Sequence, residues 1–98
     1  MAAAYLIHID PVGGYGNQRE MAQYAERVRE IVVAFGGTYR LRHREVRVLE
    51  GSWDREYLTL IEFPSMSRLM EFYESEEYRP WLELRKRSGE GDLIAVEG

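Results

Sequence analysis

Apolar and polar residues alternate through Ala4-Tyr-Leu-Ile-His-Ile-Asp10, a run too short for an independent helix, rich in strand formers and stopped by Pro11. Alternation places Tyr5, Ile7 and Ile9 on one face of this predicted strand and Leu6, His8 and Asp10 on the other, more polar face. The period then lengthens. Met21, Tyr24, Ala25, Val28, Val32 and Phe35 recur at three and four residues, while Arg19, Gln23, Glu26, Arg27 and Glu30 face away, which predicts a helix from about Gln18 to Phe35 with its stripe on a sheet. Asn17 with Glu20 forms a capping-box pair at its start. Gly36 supplies a left-handed stop, and Gly37 frees the entry to the next strand.

That second strand is read from Thr38 to Glu50, longer than strands usually run, so a bulge is expected near Arg42 to Arg44. After the Gly51-Ser52 turn, Tyr57 to Phe63 is nearly continuous in apolar residues and predicts a central strand covered on both faces, ended by Pro64. Ser65 caps a second helix whose stripe is Met66, Leu69, Met70 and Tyr73, ending near Ser75. Pro80 opens a further helical piece carrying Trp81, Leu82, Leu84 and a basic end from Arg85 to Arg87. Asp92 to Glu97 is the last strand.

The order is β-α-β-β-α-β with an extra helical piece, the pattern of an α+β, ferredoxin-like domain with an antiparallel sheet. Residues 1–98 form one such domain. One sheet face takes the helices, and the chain has nothing left to cover the other. A homodimer whose sheets face each other is therefore expected.

Composition narrows the function. The chain of 98 residues is 45% hydrophobic and 31% charged, a balance that supports one folded core. The absence of cysteine removes disulfides, thiolate nucleophiles and zinc-thiolate sites, and suits a reducing cytoplasm. A net charge of -4 argues against nucleic-acid binding, which needs an excess of Lys and Arg over the phosphates. No stretch reads as a membrane span or an export signal, so a cytoplasmic location without membrane partners is the expectation.

Several residues are candidates for chemistry. His8 reads as a general base with Asp10 to orient it, or plainly as a hydrogen-bonded sheet histidine. Glu62 interrupts the aliphatic face of Leu58 and Leu60, where a carboxylate must be paired, hydrated or neutral, so it reads as an acid/base or as an arginine partner. Arg40 and Arg42 are assigned to one strand face. Arg42 is the candidate to stabilise negative charge on a ligand, against the alternative of a charged edge strand. Tyr39, Trp53, Tyr73 and Glu50 are the expected ligand-binding residues, since they sit beside turns and helix ends. His8-x-Asp10 and His43-x-Glu45 place potential ligands on strand faces, but two histidines on separate strands do not make a metal site, and none is expected. No catalytic triad order or cofactor fingerprint occurs, so no cofactor is assigned.

The motifs Phe35-Gly36-Gly37, Glu50-Gly51 with Trp53, Glu62-Phe63-Pro64-Ser65, Phe72-Tyr73-x-Ser75-x-x-Tyr78 and Arg85, in this order, resemble the domain-of-unknown-function family 1330 of the dimeric α/β-barrel superfamily. The likeness spans nearly the whole chain. It implies a homodimer with a ligand-sized cavity between the sheet and its flanking elements, among fold relatives that include monooxygenases, isomerases, cyclases and haem-binding enzymes. It brings no reaction with it. The chain departs from the family pattern at the first loop, where Asp-Pro-x-x-Tyr is replaced by Pro11 to Asn17, and at His43-Arg44, where glycines are expected.

Two functional expectations stay open. One is a cofactor-independent enzyme acting on an aromatic or carbonyl-containing, polyketide-like metabolite by isomerisation, cyclisation or hydrolysis, with Glu62 or His8 moving the proton and Arg42 stabilising the charge that develops. The other is a non-catalytic ligand-binding or stress-associated barrel.

Overall fold

The computed structural model describes residues 2–98. Four strands, β1 (Ala4–Ile9), β2 (Thr38–Glu45), β3 (Tyr57–Phe63) and β4 (Asp92–Glu97), form one antiparallel sheet in the order β2-β3-β1-β4. Helices α1 (Gln18–Ala34), α2 (Met66–Tyr73) and α3 (Arg79–Ser88) complete the ferredoxin-like α+β fold. Among the described residues no helix is long and apolar enough to cross a membrane.

The core follows from strand alternation and helix period together. Ala4 and Leu6 of β1 and Ile61 and Phe63 of β3 point to the helices and meet Tyr24, Val28 and Val32 of α1 with Leu69 and Phe72 of α2. At the α1 end, Gly36 takes φ 88°, and the Gly37 position lies so close to Val32 and Phe63 that a β-carbon would collide with them. Ser65 accepts from the Arg68 amide at 3.2 Å and caps α2 as its sequence position foretells.

Three expectations need correction. Asn17 does not cap α1 with its side chain. Its backbone is left-handed at φ 50°, and its amide instead donates to the Ser88 hydroxyl at 3.3 Å, which ties the first loop to the end of α3. Strand β2 stops at Glu45, not Glu50: its pairing with β3 ends at Glu45–Tyr57, beyond which the Val46 amide bonds the Glu56 carbonyl at 2.7 Å, and within the strand the register shifts between Tyr39 and Leu41 and again between Leu41 and Arg44. The second of these irregularities falls where the bend was expected, near Arg42 to Arg44, and together they separate Arg40 from Arg42. Arg40 reaches Glu62 on the sheet face away from the helices, whereas Arg42 donates to the Ala25 carbonyl of α1 at 3.0 Å.

The face away from the helices is apolar and open. Leu41, Ile94 and Val96 expose 42%, 48% and 45% of their surface there, beside the half-buried Tyr5, Ile7, Leu58 and Leu60.

Candidate functional site

Strand β1 carries the site on the face that meets the helices. Leu6, His8 and Asp10 follow one another at two-residue spacing, and in front of them a cavity of about 730 Å³ opens between the sheet and α1. Its apolar wall includes Leu6, Met21, Val28, Ile61 and Phe72. Its polar end is built from His8 of β1, Asp10 just past the end of that strand, Tyr15 of the first loop, His43 of β2 and Thr59 of β3.

The β2 irregularity brings His43 into this group. His43 adopts φ 52°, a left-handed conformation that histidine enters more readily than most residues, and its amide donates to the Thr59 hydroxyl at 3.0 Å in place of a strand carbonyl. The imidazole stacks on Tyr57, with centroids 4.4 Å apart, and its Nε2 lies 3.0 Å from Asp10 Oδ2. The other Asp10 oxygen, Oδ1, lies 3.8 Å from His8 Nε2, outside hydrogen-bonding distance. Asp10 is thus bonded on one oxygen and faces His8 with the other. Arg55 fixes this end of the sheet by donating to the Asp10 carbonyl at 3.2 Å while pairing with Asp92 at 2.6 Å.

Tyr15 closes the polar end. Its hydroxyl is 2.6 Å from His8 Nε2, and its loop is pinned to α3 by a bond from the Gly16 amide to the Ser88 carbonyl at 2.8 Å. The ring packs against Gly89 and Gly91, where a β-carbon on Gly91 would collide with the tyrosine hydroxyl. Behind Tyr15 stands Arg85, only 4% exposed, with its Nε left without a hydrogen-bond partner. Tyr78 meets Tyr24 hydroxyl to hydroxyl at 2.7 Å.

Burial governs the charge states. Burial lowers the His8 pKa to about 4, helped by the positive Arg85 and by His43, so His8 is neutral near pH 7. Burial raises the Asp10 pKa, and its contact with His43 opposes the rise. The Tyr39 hydroxyl is pushed up to about 12 by burial, although Arg42, whose guanidinium lies over its ring at 5.3 Å, acts the other way. Burial works against the Arg85 charge, but the neighbouring Tyr78 and Tyr24 outweigh it and the net shift is upward.

Of the residues expected from sequence, His8, Arg42 and Tyr39 line the cavity. Glu62 does not. It lies on the opposite sheet face, 3.0 Å from Arg40 Nε, because it is one residue out of phase with Ile61 and Phe63 on β3. Trp53, 46% exposed, and the exposed Glu50 sit in the β2–β3 connection away from the cavity lining. Tyr73 packs near the Tyr78 ring at 6.1 Å and borders a smaller cleft on the far side of Arg85. Tyr15, His43 and Thr59, which build the polar end with His8 and Asp10, are absent from the expected set. Two left-handed glycines, Gly13 and Gly14, precede Tyr15 and let its loop fold back over the sheet. Among the described residues no group of three or more His, Asp or Glu side chains is arranged to hold a metal ion.

Comparison with known proteins supports this architecture. The family model for the domain of unknown function DUF1330 matches residues 4–98. The crystal structure of RPA0582, a protein of unknown function from Rhodopseudomonas palustris, superposes with a TM-score of 0.77 at 15% identity, covering 99% of this chain and 82% of that one. Its methylated form gives 0.74 at 16% identity, over 99% and 81% of the two chains. A dabb family protein with a ferredoxin-like fold from Mesorhizobium loti gives 0.62 at 10% identity, over 98% and 96%. At these identities the likeness is one of fold. No curated protein matches the chain.

Proposed function

The chain belongs to the DUF1330 family, and from the contents of its cavity we propose that it binds a small metabolite with an aromatic or otherwise apolar body and a carbonyl group, and moves a proton on it without a cofactor. The observation that carries this reading is Asp10, a buried carboxylate bonded to His43 on one oxygen and facing His8 with the other at the polar end of an otherwise apolar cavity. A carboxylate whose pKa burial has raised is a stronger base than a solvated one. His43 orients it. His8, neutral, adds a hydrogen-bonding site without a competing charge, and Arg42 at the cavity wall complements a negative group on the ligand. Glu62 has no part in this reading.

The test uses 2-tetralone, a bicyclic aromatic ketone with an acidic C–H beside its carbonyl. The protein is expected to accelerate exchange of that hydrogen in heavy water, followed by proton NMR, and Asp10→Asn to slow the catalysed exchange by roughly a hundredfold. Binding of the ketone with exchange no faster than in buffer identifies a non-catalytic binder and ends the enzymatic reading.

The proposal includes a second copy of the chain on the open sheet face. Support comes from the apolar surface of Leu41, Ile94 and Val96, which stays exposed among the described residues. Sedimentation at micromolar concentration is expected to give about twice the chain mass of 11.5 kDa, and Ile94→Asp with Val96→Asp to give the single mass without loss of helical circular dichroism. A wild-type chain that sediments as a monomer overturns the pairing.

A further inference from the structure

Arg85 is the charged group of the interior that neither the core nor the sheet cavity uses. It is 4% exposed, its Nε has no hydrogen-bond partner, and no ion pair among the described residues includes it. A guanidinium does not shed its proton in a protein, so the charge stays, and a buried cation without a counter-ion is costly. Methionine or leucine fills such a volume more cheaply. The residue calls for a partner that the chain does not supply.

The smaller cleft beyond the sheet cavity gives that partner a place. It encloses about 390 Å³, and Arg85 stands on its wall while contributing nothing to the larger cavity. The remaining wall is Tyr73 of α2, Lys86 of α3, Leu93 of β4 and the connection Gly89, Glu90 and Gly91. Arg85 and the exposed Lys86 are set against one carboxylate, the exposed Glu90, so a positive charge is left unmatched. The two glycines bring only backbone to the wall, and the space behind them is filled. A β-carbon on Gly91 would collide with the Tyr15 hydroxyl and the Ile9 carbonyl, and one on Gly89 would press on Pro11 and Tyr15 at 3.0 and 3.1 Å. The first loop backs this wall and is tied to the end of α3 through Ser88, which makes the cleft a packed depression and not a gap between loosely joined segments.

We propose that this cleft is a second ligand site, separate from the sheet cavity, that takes a carboxylate on a small organic body, with Arg85 as its anchor and Lys86 as an outer cation. A guanidinium presents Nε–H beside an Nη–H, an edge that matches the two oxygens of a carboxylate, and in Arg85 the Nε half of that edge is unused. A single surplus positive charge suits a monoanion, whereas Glu90 repels a phosphate dianion more strongly. Tyr73 and Leu93 offer apolar surface to the body of the ligand. The site asks nothing of His8 or Asp10 and stands whether or not the sheet cavity is catalytic.

Proton–nitrogen NMR of the full chain, titrated with sodium benzoate near pH 7 at an ionic strength held constant with sodium chloride, tests this. Saturable shifts are expected at the Arg85 Nε–H and at the amides of Gly89, Glu90 and Gly91. Arg85→Met is expected to weaken binding at least about tenfold, and the exposed Lys86→Ala roughly threefold. Arg85→Lys keeps the charge without the paired edge and is expected to lose at least about threefold, so the test stands even where Arg85→Met does not fold. Inorganic phosphate is expected to bind more weakly than benzoate, and tighter phosphate binding overturns the carboxylate assignment. Shifts that never saturate, shifts confined to the sheet cavity, or an affinity that the Arg85 variants leave unchanged overturn the site.

Discussion

Phe72→Ala is expected to lower the unfolding free energy by about 4 kcal/mol, within the range for truncating a buried aromatic residue. Phe72 is 1% exposed and stands at the centre of an aromatic group, with ring centroids 4.5 Å from Tyr78, 5.5 Å from Phe63 and 6.2 Å from Phe35. The hole it leaves has little means of collapsing. Tyr78 is held by its hydroxyl bond to Tyr24, Phe63 is fixed in register opposite Ala4, and Phe72 already lines the ligand cavity, so the lost volume merges with an existing one. Against a total stability of about 5–15 kcal/mol for a domain of this size, this is a large share. Urea unfolding followed by circular dichroism checks it: the midpoint should fall at nearly constant slope, and a loss under about 1 kcal/mol contradicts the packing account.

The same core explains why the fold was legible in the sequence and the site only in part. The elements announce themselves through period and punctuation: Leu6 and His8 at strand spacing, the Tyr24, Val28, Val32 stripe at helix spacing, Gly36 and Ser65 at the ends. The placement of His8 and Asp10 on one face is equally local, because alternation alone requires it. What alternation does not say is which face the helices cover. On β3 the choice falls to Ile61 and Phe63, which leaves Glu62 on the open side with Arg40.

The residues that complete the site depend on departures from regular structure. A regular β2 places Arg40 and Arg42 on one face, and two register shifts undo that placement and send His43 to Asp10. Tyr15 reaches His8 only because its loop doubles back on left-handed Gly13 and Gly14 and lodges against Gly89 and Gly91, 74 or more positions further along the chain than Tyr15. Arg85 reads from sequence as part of a basic helix end. Its neighbours Lys86 and Arg87 are exposed, whereas Arg85 shares the buried face of α3 with Leu84 and Ser88. Such long-range contacts have no periodic signature in one sequence.

Stability is expected to fall as pH drops from about 6.5 to about 4, and His8 is the main reason. Its folded pKa is lowered to about 4 from 6.5, first by burial and then by Arg85 and His43, so within that window the unfolded chain binds a proton that the folded chain excludes. More protons on the unfolded side mean that stability rises with pH through the window and is flat above it. A shift of this size corresponds to about 3 kcal/mol. The groups facing His8 come from every side of the site: Tyr15 from the loop, Asp10 from just past the end of its own strand, His43 from β2 and Arg85 from α3. Asp10 acts in the opposite sense, because burial raises its pKa above 3.8 and the folded chain holds that proton the more readily, which blunts the acid end of the curve. His8→Gln keeps a side chain that can bond to Tyr15 but cannot titrate. In that variant the difference between urea midpoints at the two ends of the window should shrink by most of its wild-type value. An unchanged difference assigns the acid sensitivity to other groups and removes the neutral, buried His8 on which the cavity's charge balance depends.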